Sequence, residues 1–148
     1  MLGRGSFGQV VRALDHKTGG WVALKIVRNE DRFRRQALDE VRLLGLLSRA
    51  DPDGRSHVVR MLGHFEFRRH HCIVFEQLGV DLYEALKRRK YRGLPLVSAR
   101  RAACGIARCL ALLRRHNIIH CDLKPENVLL TLPPPPYAPN NINVKVTC

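Results

Sequence analysis

Three glycines within six residues, Gly3, Gly5 and Gly8, constrain the fold of this chain more than any other local feature. Glycine lets backbone amides approach an anion with no side chain in the way. In a dinucleotide-binding fold a helix follows such glycines, whereas here residues 9–14 form a strand-like apolar run. The loop also lacks the Gly-Lys-Ser/Thr ending of a P-loop. The sequence therefore excludes both of these folds and predicts a glycine turn in a β-rich region.

A β-hairpin is the first element that the sequence predicts. Residues 9–14 and 21–27 are rich in branched apolar side chains, and the turn residues 17–20 separate them. Further short strands are expected at residues 58–62 and 72–75, where branched and aromatic residues cluster. The first half of the chain is therefore expected to be mainly β.

One amphipathic helix is predicted within this half, over residues 33–49, and the turn residues 51–54 are expected to end it. Its apolar stripe is expected to consist of Ala37, Leu38, Val41, Leu44 and Leu47. A second, shorter helix is predicted from Asp81, which can serve as its N-cap, to about Arg89.

A longer helix is predicted to begin at Ser98, as its N-cap, and to end at His116. Its apolar stripe is expected to consist of Ala103, Ile106, Leu110 and Leu113. The polar segment that follows is interpreted as a loop between short strands at residues 128–130 and 144–146. Residues 133–139, rich in proline, are expected to form a stiff spacer.

The net charge of +13 raises the question of a nucleic-acid partner. The basic residues are scattered pairs on several predicted elements, which solvated faces explain more simply, and no aromatic-interleaved binding motif accompanies them. We therefore keep a basic nucleic-acid-binding module only as an alternative function. Binding to mixed-sequence DNA or RNA that persists at moderate salt would favour it.

Cellular location is the next property that composition addresses. No apolar run approaches the roughly 20 residues of a membrane-spanning helix, and no signal peptide is recognised. The five cysteines are odd in number and lack Cys-x-x-Cys spacing, which predicts reduced thiols. We expect an intracellular protein, cytoplasmic or nuclear, with no membrane partner.

The strongest chemical signal is residues 120–127, His-Cys-Asp-Leu-Lys-Pro-Glu-Asn. Phosphoryl transfer needs a carboxylate near the attacking hydroxyl, a cation near the phosphate and an oxygen ligand for Mg²⁺. Asp122, Lys124 and Asn127 supply these in order. The segment matches the pattern H-R-D-L-x-x-x-N of kinase catalytic loops except at its second residue. His120 is predicted to be structural, with its ring hydrogen-bonded to the loop backbone.

A second charged pair is predicted at Lys25 and Glu40. Lys25 lies on the second hairpin strand, after the glycines, where a kinase holds the α- and β-phosphates of ATP. Glu40 lies among apolar residues of the predicted helix, so it can turn inward and orient the ammonium group. A solvated lysine and a surface glutamate are the alternative interpretations.

These motifs together resemble the dual-specificity tyrosine-regulated kinase family, with which the chain shares His-Cys-Asp-Leu-Lys-Pro-Glu-Asn, Gly-Ser-Phe-Gly-Gln-Val-Val and residues 13–18. The resemblance covers nearly all of residues 2–132. Homeodomain-interacting kinases rank second, since they usually carry alanine in place of Cys121. The resemblance implies an α+β, protein-kinase-like fold with a β-rich N-terminal lobe, one main helix and the first part of a helical C-terminal lobe.

The resemblance also implies domain boundaries and ligands. Residues 1–78 would form the N-terminal lobe and hinge, residues 79–132 the start of the second lobe, and residues 133–148 a Pro/Asn-rich segment with a terminal strand. The implied cofactors are ATP and Mg²⁺, and the implied partners are ATP and protein substrates. The implied activity is transfer of the γ-phosphate to protein hydroxyls, with dual specificity for serine/threonine and tyrosine.

The nucleotide-binding residues that the resemblance implies are spread along the chain. Phe75 would be the gatekeeper, and Glu76 to Leu78 the hinge that binds the base through its backbone. Asp81 and Glu84 fall near the ribose. Asn127 would be the metal ligand. The remaining contacts to ATP would come from Leu2, Gly3, Gly5, Gly8, Val10, Ala23, Lys25, Glu40 and Leu129. Plain core packing is the alternative for the apolar ones.

One departure from the family pattern concerns the end of the chain. Residues 144–146 resemble the strand before the metal-binding Asp-Phe-Gly segment, but Cys148 occupies the place of the aspartate. We therefore expect a truncated kinase domain that binds magnesium and ATP weakly and transfers little phosphate. A catalytically silent ATP-binding or regulatory fragment is the alternative function.

Overall fold

The computed structural model describes residues 1–131 and 143–147. The chain divides into two compact units, and each is described separately below. The first unit contains residues 1–50 and 60–77, and the second contains residues 51–59 and 78–148. The predicted proline-rich spacer and Cys148 lie outside the described residues.

The first unit is built on an antiparallel sheet whose strand order is β1-β2-β3-β5-β4. Its strands are β1 (Gly3–Gly5), β2 (Gly8–Leu14), β3 (Trp21–Val27), β4 (Met61–Phe67) and β5 (His70–Glu76). One helix, α1 (Asp31–Ala50), accompanies the sheet in this unit. The α+β fold class and the β-rich character of this region are confirmed.

The predicted hairpin is formed by β2 and β3, with Leu14 opposite Trp21. Its turn is stabilised by Asp15, whose carboxylate accepts hydrogen bonds from the Lys17 amide at 2.9 Å and from the Thr18 hydroxyl at 2.8 Å. Gly19 has φ of 71°, a conformation that a residue without Cβ adopts at little cost. The local turn chemistry therefore fixes the register of the hairpin.

The strand predicted at residues 58–62 is wrong in its position. The structure has β4 at Met61–Phe67, and Val58 instead forms an isolated bridge to Val146 in the second unit's fold. Because β4 lies at the edge of the sheet, most of its side chains are exposed and its sequence lacks a continuous apolar run. The strand predicted at residues 72–75 is present and is longer at both ends, as β5.

Helix α1 confirms the predicted helix and its end before Asp51. Four of its residues are buried: Phe33, Ala37, Leu44 and Leu47. Leu38, predicted in the stripe, is 38% exposed, because it lies to the side of the line formed by the buried positions. Phe33 and Ala37 instead join Val27 and Ile73 in the core cluster of the unit. Helix α1 therefore covers β3 and β5, and Val41 packs on the same cluster.

The second unit contains two helices and a small sheet among its described residues. The helices are α2 (Leu82–Arg88) and α3 (Leu96–Arg115), and the strands β6 (Val128–Leu130) and β7 (Val144–Val146) pair antiparallel. A 3₁₀ turn spans Pro125–Asn127. Asp81 caps α2 as predicted, since its Oδ1 accepts a hydrogen bond from the Glu84 amide at 2.7 Å.

The predicted N-cap of α3, Ser98, is wrong. The helix begins at Leu96 after Pro95, so Ser98 lies within its first turn, and Ser98 is only 1% exposed. Pro95 is the N-cap residue, and because the missing N–H of a proline costs no hydrogen bond ahead of a helix, the helix can begin directly after it and ahead of the serine. The amide of Ala99 donates to the carbonyl of Pro95 at 2.9 Å.

The apolar stripe predicted for α3 is also mostly wrong. The buried residues are Ser98, Ala102, Gly105, Cys109, Leu112 and Leu113. Of the predicted stripe only Leu113 is buried, whereas Leu110 is 39% exposed. A Cβ at Gly105 would lie 2.7 Å from Cγ2 of Val144, so the helix packs on β7 through its small residues. Large apolar residues dominated the predicted stripe, but close approach to β7 selected small ones in the first part of the helix, and only its end buries leucines, Leu112 and Leu113.

Two absences concern only the described parts of the chain. None of the helices in residues 1–131 and 143–147 is long and apolar enough to span a membrane. None of the four cysteines in these parts forms a disulfide, and Cys72 and Cys109 are buried.

Candidate active site

The glycine loop joins β1 to β2, with Gly3 opposite Val10 and Gly5 opposite Gly8. Gly8 has φ of 146°, and a Cβ at this position would overlap the carbonyl oxygen of Ile26. Any other residue would therefore strain the backbone here. The backbone conformation of this turn therefore requires glycine at position 8, whether or not a ligand binds there.

The aromatic residue of this loop, Phe7, is turned inward, a feature that sequence reasoning missed. Its ring carbon Cε1 lies 2.7 Å from the position of a Cβ built on Gly5. The Nζ of Lys25 lies 4.8 Å from the ring centroid, within cation–π range. The ring also packs on the core cluster of the unit. The signal in the sequence was an aromatic residue between the second and third glycines.

Lys25 and Glu40 form the charged pair of the first unit, as predicted. The Nζ of Lys25 lies 2.8 Å from Oε1 and 2.6 Å from Oε2 of Glu40. The two side chains are only 18% and 17% exposed, so solvent screens the pair less than a surface ion pair. The pairing holds the ammonium group of Lys25 in one position on β3.

Apolar residues that the resemblance assigned to adenine lie on adjacent strands of the first unit. Ala23 is opposite Phe75 in the register of β3 and β5, and Val10 is opposite Lys25 in that of β2 and β3. All three apolar side chains are partly buried. Leu2 is 50% exposed, and its amide donates to the carbonyl of Val10 at 2.8 Å.

The hinge residues predicted from the resemblance differ in their contacts and in which unit they belong to. The carboxylate of Glu76 accepts a hydrogen bond from the Arg60 amide at 2.7 Å, which ties the end of β5 to the start of β4. Leu78, in the second unit, is 7% exposed. Its unit also contains Leu129, which forms an isolated antiparallel bridge with Asp81. The Asp81 carboxylate caps α2, and the Glu84 carboxylate accepts from Nε of Arg88 at 3.0 Å.

Asp122, Lys124 and Asn127 meet in the second unit. The Nζ of Lys124 lies 2.8 Å from Oδ2 of Asp122, and Nδ2 of Asn127 donates to the same oxygen at 2.9 Å. Nδ2 also donates to the backbone carbonyl of Asp122 at 2.8 Å. The hydrogen bonds from Lys124 and then Asn127 hold the pKa of Asp122 below its usual value. The Asp122 carboxylate in turn raises the pKa of Lys124.

His120 stabilises this loop through two hydrogen bonds to backbone atoms. Its Nε2 donates to the carbonyl of Thr147 at 2.7 Å, and its Nδ1 accepts from the Asp122 amide at 3.3 Å. This pair of contacts requires the tautomer with the proton on Nε2. The predicted structural role of His120 is therefore confirmed.

Thr147 and Cys121 are two contributors to the loop that sequence reasoning did not identify. The amide of Thr147 donates to the carbonyl of Asn127 at 3.0 Å, so β7 fixes the end of the loop. Cys121 has φ of 64°, which is uncommon for a residue with a side chain. The turn places the Asp122 amide against His120. A positive φ has no signal in a single sequence.

The predicted site residues thus fall into two groups that the structure brings together within each unit. The first unit contains Lys25 with Glu40 and the partly buried apolar residues beside them. The second unit contains the cluster of Asp122, Lys124 and Asn127, supported by His120. No group of three or more metal-ligating side chains of the His, Cys, Asp and Glu types occurs in residues 1–131 and 143–147.

Comparison with known proteins assigns the chain to a family. The sequence model described as "Protein kinase domain" matches residues 1–145. The chain is 53% identical over 130 residues, 88% of its length, to Dual specificity tyrosine-phosphorylation-regulated kinase mbk-2 of Caenorhabditis elegans. The same segment is 51% identical to Dual specificity tyrosine-phosphorylation-regulated kinase 2 of Drosophila melanogaster and 50% identical to kinase 3 of Homo sapiens.

The matched segment is a small part of each relative. It spans 16% of the Caenorhabditis elegans kinase, 18% of the Drosophila kinase and 22% of the human kinase. A family match over residues 1–145 nevertheless includes the glycine loop, the Lys25 and Glu40 pair and the Asp122 loop described above. The chain therefore belongs to the protein kinase family, and across most of its length it is about half identical to dual-specificity tyrosine-phosphorylation-regulated kinases.

Proposed function

We propose that this chain binds ATP together with Mg²⁺ and transfers the γ-phosphate of ATP to hydroxyl groups of protein substrates. The observation that carries the proposal is the cluster in which Lys124 and Asn127 both contact Oδ2 of Asp122. Positioning and electrostatics supply most of the catalysis in phosphoryl transfer, so a preformed cluster of this kind is what the reaction requires.

Asp122 is proposed to accept the proton of the attacking hydroxyl. Its Oδ2 is occupied by two donors, while no donor among the described residues reaches Oδ1. Its side chain is 64% exposed, so a substrate hydroxyl can approach Oδ1. The lowered pKa keeps the carboxylate ionised, and therefore an acceptor, throughout the neutral range.

Asn127 is proposed as the metal ligand of the second unit. Because its Nδ2 is directed at Asp122, the amide oxygen Oδ1 remains for a cation. Amide oxygens are suitable ligands for Mg²⁺, which prefers oxygen donors. Magnesium, when bound, neutralises charge on the β- and γ-phosphates. Lys124 is proposed to stabilise negative charge on the transferred phosphoryl group.

Lys25 is proposed to hold the α- and β-phosphates from the first unit, with Glu40 as its positioning residue. The two hydrogen bonds to Glu40 support this role because they fix the ammonium group while preserving its charge. The proposed adenine contacts are Leu2, Val10, Ala23, Phe75, Leu78 and Leu129, with backbone contacts from Glu76 to Leu78 and from the glycine loop.

A catalytically silent ATP-binding or regulatory protein is the second candidate function. Cys148 stands where the family pattern has a metal-binding aspartate. A thiol is a poor ligand for Mg²⁺, which prefers oxygen. Under this proposal ATP binding is weak and phosphate transfer is slow.

The relatives are named as dual-specificity, tyrosine-phosphorylation-regulated kinases. We propose the same specificity, for serine/threonine and for tyrosine, for the protein to which this chain corresponds. ATP and protein substrates are its proposed partners.

The two candidate functions are separated by measuring nucleotide binding and transfer on the same purified chain. We expect fluorescent ATP-analogue binding that depends on Mg²⁺, is lost in Lys25→Met and survives in Asp122→Asn. Transfer to a generic substrate protein should be lost in Asp122→Asn and unchanged in Asp53→Asn, an exposed matched control. Binding without transfer would select the silent alternative, and a folded chain that binds no nucleotide would contradict both.

A further inference from the structure

A basic groove in the second unit lies apart from the residues assigned to phosphate transfer. It has a volume of about 1140 Å³ and is formed by residues 55–57 and the C-terminal half of α3. Arg55, Arg108, Arg114 and Arg115 line it, and its lining includes no carboxylate. All four arginine residues are exposed. We call this surface the arginine groove.

Helix electrostatics account for only part of this arrangement. Arg114 and Arg115 lie in the last turn of α3, where cations complement the helix dipole. Arg108 lies about two turns earlier, and Arg55 belongs to a different segment, so the dipole explains neither. Convergence of four guanidinium groups on one groove therefore needs another reason.

The existing partners of these arginines leave the groove strongly positive. Arg55 pairs with Asp53 at 3.3 Å on the exposed side of the segment. The Nδ1 of His57 donates to the carbonyl of Val144 at 2.7 Å, which leaves Nε2 of the neutral ring as an acceptor. The Nη1 of Arg108 lies 3.5 Å from this Nε2. No ion pair in the described residues involves Arg114. Charge in the groove is thus mostly uncompensated.

The floor of the groove is apolar. It consists of Ala107, Ala111 and Leu110, which lie on one face of α3 between the arginines. Leu110 is 39% exposed, so a ligand can bury it. An apolar floor between guanidinium groups suits a peptide with both carboxylates and an apolar side chain. No phenylalanine, tyrosine or tryptophan lines the groove for stacking of nucleic-acid bases, and its one aromatic ring, the imidazole of His57, is hydrogen-bonded to the carbonyl of Val144.

We propose that the arginine groove binds an extended acidic peptide segment of a partner protein. Arg108 and Arg115 are seven residues apart on α3, which at the helical rise is about 10 Å. An extended peptide in the polyproline II conformation has three residues per turn and rises about 3.1 Å per residue, so side chains three positions apart lie on the same side, about 9 Å from each other. Two carboxylates three positions apart, with a leucine or similar side chain between them for the apolar floor, match this spacing. The inference is independent of ATP binding.

The test uses a fluorescent acidic peptide and the whole 148-residue chain without nucleotide. The peptide carries glutamates three residues apart with an intervening leucine. Arg108→Gln with Arg115→Gln is expected to weaken its binding by about tenfold. Arg92→Gln with Arg100→Gln removes the same charge from exposed positions outside the groove and should change affinity less than about twofold.

A charge-neutral variant separates a groove from a general positive field. Leu110→Gln makes the exposed floor polar without changing charge, and it is expected to weaken peptide binding while leaving the binding of a single-stranded DNA oligonucleotide unaffected. Circular dichroism checks that each variant is folded. Equal loss of affinity in the two arginine pairs, tighter binding of the oligonucleotide than of the peptide, or self-association of the chain through this face would overturn the proposal.

Discussion

Lys25 and Glu40 are joined by two hydrogen bonds, of 2.8 and 2.6 Å, although fourteen residues and a change from strand to helix separate them along the chain. Their pairing requires that α1 pack on the sheet with Glu40 facing β3. Since both side chains are more than four-fifths shielded from solvent, neither charge has an easy alternative partner.

Removal of one partner of this pair should therefore destabilise the first unit. Lys25→Met leaves the Glu40 carboxylate unpaired, at a cost of about 1–3 kcal/mol in the free energy of unfolding. The double variant Lys25→Met with Glu40→Leu should recover most of that loss without recovering ATP-analogue binding. Urea unfolding followed by circular dichroism measures the free energy of unfolding of each variant. Additive losses in the double variant would contradict a stabilising interaction between Lys25 and Glu40.

Asp122 should titrate below the usual range of an aspartate, because Lys124 and Asn127 donate to its carboxylate. With a lowered pKa in the folded state, the group remains ionised as the pH falls and protonates only in acid. Lys124→Met removes the largest cause and should raise the pKa of Asp122. Carbon-detected NMR of the labelled carboxyl measures both values, and Lys87→Met, on α2, serves as the control.

The stability of the first unit should fall with acid because of His71. Its side chain is buried, its ring stacks on His64 with centroids 5.4 Å apart, and its Nε2 has no hydrogen-bond partner among the described residues. Burial, and then the charge of His64, lower the pKa of His71. Arg34 acts in the same direction, and Glu66 and Glu40 act against it.

The sign of this effect follows from proton uptake. The unfolded chain binds a proton at His71 at a higher pH than the folded chain, so stability is lost as the pH falls below about 6.5. His71→Leu should flatten this dependence and raise stability by about 1 kcal/mol through loss of an unsatisfied polar atom. Unfolding curves at several pH values measure it, with exposed His16→Leu as the control; an unchanged slope would disprove the role of His71.

Two glycines in helices should respond in opposite ways to alanine. A Cβ at Gly105 would lie 2.7 Å from Cγ2 of buried Val144 and 3.2 Å from Nδ1 of His57, so Gly105→Ala should destabilise α3 by about 1–3 kcal/mol. At Gly45 the nearest group is the end of the flexible Arg49 side chain at 3.6 Å. Gly45→Ala should therefore stabilise α1 by about 1 kcal/mol. Thermal unfolding compares the two, and stabilisation by both changes would contradict the packing of α3 on β7.

The local elements and the chemical identity of the site follow from the sequence because they depend on short-range patterns. The hairpin, helix α1 and the Asp81 cap were predictable from turn residues, helical spacing and a side-chain acceptor at the right position. Residues 120–127 carry their three functional side chains within one loop, so contacts within the loop bring them together, and the distant Thr147 adds hydrogen bonds to His120 and Asn127. The Lys25 and Glu40 pair was predicted by residue number, but the packing of α1 on the sheet that brings the two side chains together was not.

Tertiary structure decided what depends on neighbours from distant segments. It selected small residues for the first part of the buried face of α3, where Val144 comes within contact distance of Gly105, and leucines for the last turn. It turned Phe7 inward against Lys25, and it gathered Arg55 with the arginines of α3. A sequence records which side chains are available and their local period, but close packing between distant segments determines which of them are buried, paired or left exposed.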